Sequence, residues 1–118
     1  MSRILMGAAA AALLLASAAQ AADAPPAFNQ CKACHRVEAG KNLVGPSLFG
    51  VYGRQSGTVE GFNYSPAMKN ANLTWDEASL TKYLSNPKEA VPGNKMAFMG
   101  LKKPEDVKAV VDYLATLK

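Results

Sequence analysis

The five residues Cys31-Lys32-Ala33-Cys34-His35 (CKACH) hold both cysteines and the single histidine of the 118-residue chain. A disulfide within this motif would close a very small ring, which stabilises little because the gain grows with loop length. A structural zinc site needs four Cys or His ligands, and the chain has only three such residues. A thioredoxin-like redox pair is expected next to a βαβ pattern, which the sequence lacks. These three uses of the motif are therefore disfavoured.

Covalent haem attachment is the chemistry that uses every ligand residue of the motif. Two thiols three positions apart can add to the two vinyl groups of one porphyrin, and the adjacent imidazole then reaches the iron. Attachment also consumes both thiols, which suits an oxidising compartment. The sequence therefore predicts one haem c, bound covalently through Cys31 and Cys34, with His35 as an iron ligand.

Several groups can occupy the sixth position of that iron. The chain has no second histidine, so the choices are Met, Lys, Tyr, water or an open site. Met96 follows a Pro92-Gly93 turn that can swing a side chain onto the haem face. Met96 is the predicted ligand; Met99 is its nearest competitor, and Met68 is the remaining methionine of the mature chain.

The N-terminal segment is typical of an export signal. Arg3 precedes a short apolar run at residues 4–16, and Ala19-Gln20-Ala21 has the small-x-small form of a cleavage site. We predict that residues 1–21 are a cleaved signal peptide and that residues 22–118 form a single domain in the periplasm. An uncleaved anchor is the alternative, although a spanning helix usually needs about 20 strongly apolar residues.

The charge balance of the chain is mildly basic, with a formal net charge of +4 at pH 7. There is no long basic run and no basic patch interleaved with aromatic residues, so nucleic-acid binding is not indicated. A small basic excess instead favours docking onto acidic protein surfaces.

Hydrophobic spacing and turn residues predict an all-α domain with long loops. Helices are expected over residues 27–34, 66–70 and 74–84, the third one starting at a capping box of Thr74 and Glu77, and from Pro104 onward. Residues 40–61 hold six of the nine glycines and are predicted to be irregular. Such loops need something to pack on, and a buried cofactor would supply it.

Further motifs follow CKACH along the chain: GPSLFG at 45–50, YGR at 52–54, GFNY at 61–64, Thr74-Trp75 and PGNKM at 92–96. In this order, from residue 28 to residue 117, the sequence resembles class I cytochrome c, the branch of mitochondrial cytochrome c and bacterial cytochrome c2. His35 and Met96 lie 61 residues apart, close to the usual separation in that family. The resemblance implies a small cytochrome c fold, with a few helices and long loops wrapped around one covalently bound haem.

The resemblance also implies roles around the haem. The Pro46 carbonyl would accept the Nδ1 proton of His35, Tyr83 would lie beside the Met96 sulfur, and Asn94 would join the polar network near the ligand loop. The residues expected to stabilise a buried haem propionate are Arg54, Tyr64 and Trp75. Without the resemblance, Trp75 and Tyr83 would be interpreted as core aromatics and Arg54 as a surface charge.

Two features depart from the family pattern. The N-terminal helix is short, contains Pro25 and Pro26 and lacks the usual glycine, so its packing on the C-terminal helix depends on Phe28. Met68 stands where the family often has a polar asparagine, which brings another thioether close to the iron.

The function implied by the resemblance is that of a soluble one-electron carrier, not an enzyme. The expected donor is a bc1-type complex, and the expected acceptor is a terminal oxidase or a photosynthetic reaction centre, bound transiently by a monomer. Lysines near the haem edge would steer docking onto these partners. Their alternative role is to keep the protein soluble as scattered surface charge. The candidates are Lys32, Lys41, Lys88, Lys95, Lys102 and Lys103. An open sixth position would instead give a haem peroxidase or a small-ligand sensor.

Overall fold

The computed structural model describes residues 22–118, so the predicted signal peptide, residues 1–21, lies outside the described residues. The only β structure in the described part is an isolated antiparallel bridge between Gln55 and Thr74. No helix of residues 22–118 is long and apolar enough to cross a membrane. The all-α prediction is confirmed by the elements found: a 3₁₀ helix, Pro26–Gln30, followed by α1, Pro66–Lys69, α2, Glu77–Ser85, α3, Pro87–Ala90, and α4, Pro104–Leu114.

The N-terminal 3₁₀ helix is shorter than the helix predicted over residues 27–34, because it ends at Gln30 and the CKACH motif continues as a turn. Its one fully buried side chain is Phe28, which is 1% exposed. The Phe28 ring meets the ring of Tyr113 on α4 edge-on, with centroids 4.8 Å apart. This aromatic contact of favourable geometry therefore helps to hold the short helix against the C-terminal helix.

A capping box begins α2, but its residues are Asp76 and Ser79, not the predicted Thr74 and Glu77. The Asp76 carboxylate accepts a hydrogen bond from the Ser79 amide at 2.9 Å, and the Ser79 hydroxyl accepts one from the Asp76 amide at 2.9 Å. Hydrogen bonds from the backbone and hydroxyl of Ser79 hold the pKa of the Asp76 carboxyl below its usual value. Thr74 remains in the bridge to Gln55, so the capping residue of α2, Asp76, lies two residues later than predicted.

The core lies where α2 and α4 pack together. From α2 it receives Leu80, Tyr83 and Leu84. From α4 it receives Val107, Val110, Val111, Tyr113 and Leu114.

The long segment between the 3₁₀ helix and α1 is held by side chains that bind backbone groups. The buried Ser47 hydroxyl donates to the Glu38 carbonyl at 2.6 Å, and the Asn42 side chain accepts from the Ser47 amide at 2.9 Å. Farther along, the buried Ser56 hydroxyl accepts from the Leu73 amide at 2.9 Å. These side-chain bonds satisfy backbone groups that a helix or a sheet would otherwise pair, and they hold the segment in place.

Replacing Phe28 with alanine tests the packing of the 3₁₀ helix. We expect Phe28→Ala to lower the free energy of unfolding by about 3–5 kcal/mol, because a fully buried ring leaves a cavity. Denaturant unfolding followed by circular dichroism measures this loss. The matched control is Phe49→Ala, since Phe49 is 38% exposed and its loss should be much smaller; equal losses in both variants would contradict the assignment.

Candidate functional site

A cavity of about 660 Å³ lies between the long N-terminal segment, the two packed helices and the loop that follows α3. Several core side chains also face it, among them Phe28, Leu80, Leu84, Val110 and Leu114. All the site residues predicted from the sequence line this one cavity: Cys31, Cys34, His35, Pro46, Arg54, Tyr64, Trp75, Tyr83, Asn94 and Met96.

The two cysteines stand on the turn that follows the 3₁₀ helix. The Cys31 carbonyl accepts hydrogen bonds from the Cys34 amide at 3.2 Å and the His35 amide at 2.9 Å, which close the turn. Both thiols are free and half-buried. Burial, with a smaller contribution from the Cys34 thiol, raises the pKa of the Cys31 thiol to about 11. The turn thus presents two thiols at the edge of the cavity.

The imidazole of His35 is held by the backbone of the next segment. Its Nδ1 lies 2.7 Å from the Pro46 carbonyl, so Nδ1 carries the proton and Nε2 keeps its lone pair. Burial lowers the pKa of His35, and the hydrogen bond to Pro46 opposes that shift in part. The result is a neutral, oriented ring, which is the form that binds a metal.

Gly45 is a site residue that the sequence analysis placed in a motif without giving it a role. A Cβ atom built on Gly45 would collide with Cε1 of His35 and lie 2.7 Å from its Nδ1. The Gly45 amide also donates to the Cys34 carbonyl at 2.8 Å. The backbone therefore passes so close to the imidazole that only glycine fits, and the ring cannot tilt toward it.

Met96 lies in the loop after α3, with its sulfur 4.0 Å from the hydroxyl of Tyr83. Burial raises the pKa of Tyr83 to about 12, so its hydroxyl stays protonated at neutral pH. The Tyr83 ring also packs on Trp75, with centroids 5.0 Å apart. The thioether thus stands beside a neutral phenol whose orientation the core fixes.

The other two methionines differ in position. Met99, the nearest competitor in the sequence, is 66% exposed and is not among the residues that line the cavity. Met68 lines the cavity and packs partly against the core. The cavity therefore receives the thioethers of Met96 and Met68, and not that of Met99.

Arg54 and Tyr64 line the cavity while they also bind backbone groups. The Arg54 guanidinium donates to the carbonyls of Phe49 and Ser47, each at 3.1 Å, and burial lowers its pKa. The Tyr64 hydroxyl accepts from the Val59 amide at 2.9 Å. These bonds fix a cation and a hydroxyl at the wall, where they can meet an anionic group.

The donor set of the cavity fits a covalently bound haem. It combines two thiols on one turn, a neutral imidazole directly after them, and a thioether from a separate loop. Imidazole and thioether are ligands of haem iron in electron-transfer proteins. The apolar lining and the glycine contact at His35 suit a flat, hydrophobic group.

Comparison with known proteins gives consistent matches. A model of the cytochrome c family matches residues 21–118. Cytochrome c2 iso-2 of Magnetospirillum molischianum is 65% identical over 97 residues, which cover 82% of this chain and 100% of the relative. Cytochrome c of Euglena viridis is 53% identical over 85 residues, covering 72% and 83%. Among solved structures, cytochrome cH from Methylobacterium extorquens superposes with a TM-score of 0.72 at 46% identity, covering 76% of this chain and 91% of that one.

A methyl group at Gly45 tests the contact with the imidazole. We expect Gly45→Ala to destabilise the protein by about 1–3 kcal/mol through overpacking and to reduce the fraction of purified chain that carries haem, because the His35 ring is displaced. The haem fraction is measured as haem absorbance relative to protein absorbance.

The matched control is Gly40→Ala, because Gly40 has a positive φ of 73° but nothing within 4 Å of its Cβ position. This variant carries backbone strain alone and should keep the full haem fraction. A Gly45→Ala protein with an undiminished haem fraction would contradict the proposed contact.

Proposed function

Because the chain belongs to the cytochrome c family, we propose that it carries single electrons between membrane redox complexes with His35 and Met96 as the axial ligands of its haem. The resemblance found in the sequence is thereby confirmed. One haem c is attached covalently through Cys31 and Cys34, and the protein is a c-type electron carrier, not an enzyme. When bound, the haem supplies the reversible exchange between ferrous and ferric iron.

The observation that carries the ligation proposal is that His35 and Met96 line the same cavity, whereas Met99 lies outside it. The hydrogen bond from Nδ1 to the Pro46 carbonyl orients the imidazole and makes its Nε2 a better electron donor. The thioether of Met96 is a soft ligand that favours the ferrous state and a relatively positive potential.

The surroundings of Met96 favour a carrier over the peroxidase or sensor alternative. Apolar core side chains line the same cavity, and such a lining disfavours water at the iron. The Met96 sulfur contacts the phenol of Tyr83, whose pKa burial raises to about 12. No second histidine exists to act as a distal acid.

Arg54, Tyr64 and Trp75 are proposed to stabilise a haem propionate. Arg54 brings a half-buried positive charge to the cavity wall, and hydrogen bonds to two carbonyls hold it there. Tyr64 and Trp75 bring a hydroxyl and an indole N–H to the same cavity. A buried carboxylate needs such donors because burial without partners is costly.

Docking is proposed to occur through lysines onto acidic surfaces of a bc1-type donor and of a terminal oxidase or photosynthetic reaction centre. The six candidate lysines are all exposed, and Lys95 also borders the cavity. Charge contacts of this kind speed encounter more than they add affinity, which suits transient complexes of a monomer. Relatives named cytochrome c2 and the export-like segment at residues 1–21 support a periplasmic location.

The optical spectrum of the periplasmically expressed protein tests the ligation. We expect a low-spin c-type spectrum with the weak near-infrared band of a sulfur–iron bond, and we expect Met96→Ala to abolish that band. Two other methionine variants serve as matched controls. Met99→Ala should leave the band unchanged. Met68→Ala tests the other thioether that lines the cavity. A high-spin wild type would favour the open-site alternative, and a band that survives in Met96→Ala would remove Met96 as the ligand.

Charge reversal at Lys95 tests the docking proposal. We expect Lys95→Glu to slow electron transfer from a purified bc1 complex several-fold at low ionic strength, because steering between opposite charges is lost. The difference should vanish near 1 M salt, where the Debye length is about 3 Å. Stopped-flow absorbance follows the reaction. The control is Lys108→Glu, an exposed lysine on α4 that does not line the cavity; equal slowing by both variants would point to net charge alone.

A further inference from the structure

The side chain of Asn94 uses every hydrogen-bonding group of its amide on the protein backbone. Its Nδ2 donates to the carbonyls of Pro87 and Val91, each at 2.9 Å. Its Oδ1 accepts from the amide of Met96 at 2.8 Å. Both N–H groups and the carbonyl are thus engaged, so one side chain connects α3 to the residue that carries the thioether.

The loop after α3 has few backbone hydrogen bonds, although Met96 and Phe98 pack partly against the core. Among the described residues, the Met96 amide is the only backbone N–H from 95 to 100 that donates a hydrogen bond, and Asn94 is its acceptor. The next backbone amide that donates is that of Leu101, which binds the Leu84 carbonyl at 2.8 Å. The contact of the Met96 sulfur with the Tyr83 hydroxyl, at 4.0 Å, is long and weak.

The resemblance led to the expectation that Asn94 joins the polar network near the ligand loop. Its bonds give it a specific task there, because both N–H groups and the carbonyl of its amide bind the protein backbone. A hydroxyl at this position has one donor, so it could bind the carbonyl of Pro87 or of Val91 and not both. The asparagine is therefore suited to clamp the loop from two sides.

We propose that Asn94 is a positioning residue whose amide ties the Met96 backbone to α3 and thereby sets how firmly the thioether resists displacement from the iron. The inference rests on the proposed His35/Met96 ligation. A competing ligand from solution binds molecules whose loop has moved away, so its apparent affinity rises with the fraction of such molecules. Loss of the clamp increases that fraction.

The test is a titration of the ferric holoprotein with imidazole, followed by loss of the near-infrared sulfur–iron band. We expect Asn94→Ala to tighten apparent imidazole binding about tenfold, which corresponds to about 1.4 kcal/mol and is the size of one net hydrogen bond. Asn94→Ser should give an intermediate value, because a serine hydroxyl can still accept from the amide two residues on. Should Asn94→Ala fail to accumulate, Asn94→Ser carries the same test.

The matched control is Asn86→Ala, which removes the asparagine that caps the start of α3. The Asn86 side chain accepts from the Glu89 amide at 3.3 Å and donates to the Glu89 carboxylate at 3.0 Å, and neither bond involves the loop. It should lower thermal stability while leaving imidazole affinity within about twofold of the wild type, since capping acts on the helix alone.

Each outcome of the titration decides the proposal. Tighter imidazole binding in the Asn94 variants, with Asn86→Ala unchanged, supports it. Unchanged binding in Asn94→Ala, or the same tightening in Asn86→Ala, overturns it while the ligation stands. A wild-type protein without the band, or a band that survives in Met96→Ala, overturns the ligation itself and the inference with it.

Discussion

The contact between the His35 imidazole and the Gly45-Pro46 backbone is the constraint on which the rest of the structure depends. It joins the turn that carries both thiols to the segment that follows, through one hydrogen bond to Pro46 and one close approach at Gly45. Because the ring is held on both sides, the thiols, the imidazole and the cavity wall keep fixed relative positions. The helices then need only to close the opposite side, which α2, α4 and the Met96 loop do.

The cavity and the hydrophobic core are not separate parts of this protein. Phe28, Leu80, Leu84, Val110 and Leu114 belong to the core cluster and also line the cavity. On one side these residues pack against other side chains, and on the other side they face the cavity that the haem would fill. A chain with so few helical residues can therefore bury a sizeable apolar surface only if the cofactor is counted as part of its interior.

Much of the fold and the membership of the site could be predicted from the sequence, because they follow from local patterns. Helical spacing and turn residues located the helices that become α2 and α4, and the ordered motifs located the residues that meet at the cavity. The predicted start of α2 was wrong because Thr74 and Asp76 are both residue types that cap helices well. Thr74 pairs with Gln55 in the bridge, and Asp76 is therefore the residue that caps α2. The contacts of Gly45 and Asn94 were also beyond reach, since each depends on which backbone segment lies opposite in space.

The sharing of core residues between the packed helices and the cavity has a consequence for the chain before haem attachment. Without the porphyrin, the side chains that hold α2, α4 and the 3₁₀ helix together would face an open space and would lose packing partners on that side. A haem-free chain would therefore hold its helices together less firmly, and the half-buried Cys31 and Cys34 would be easier to reach. The covalent bond would then also supply the packing partner that completes the interior.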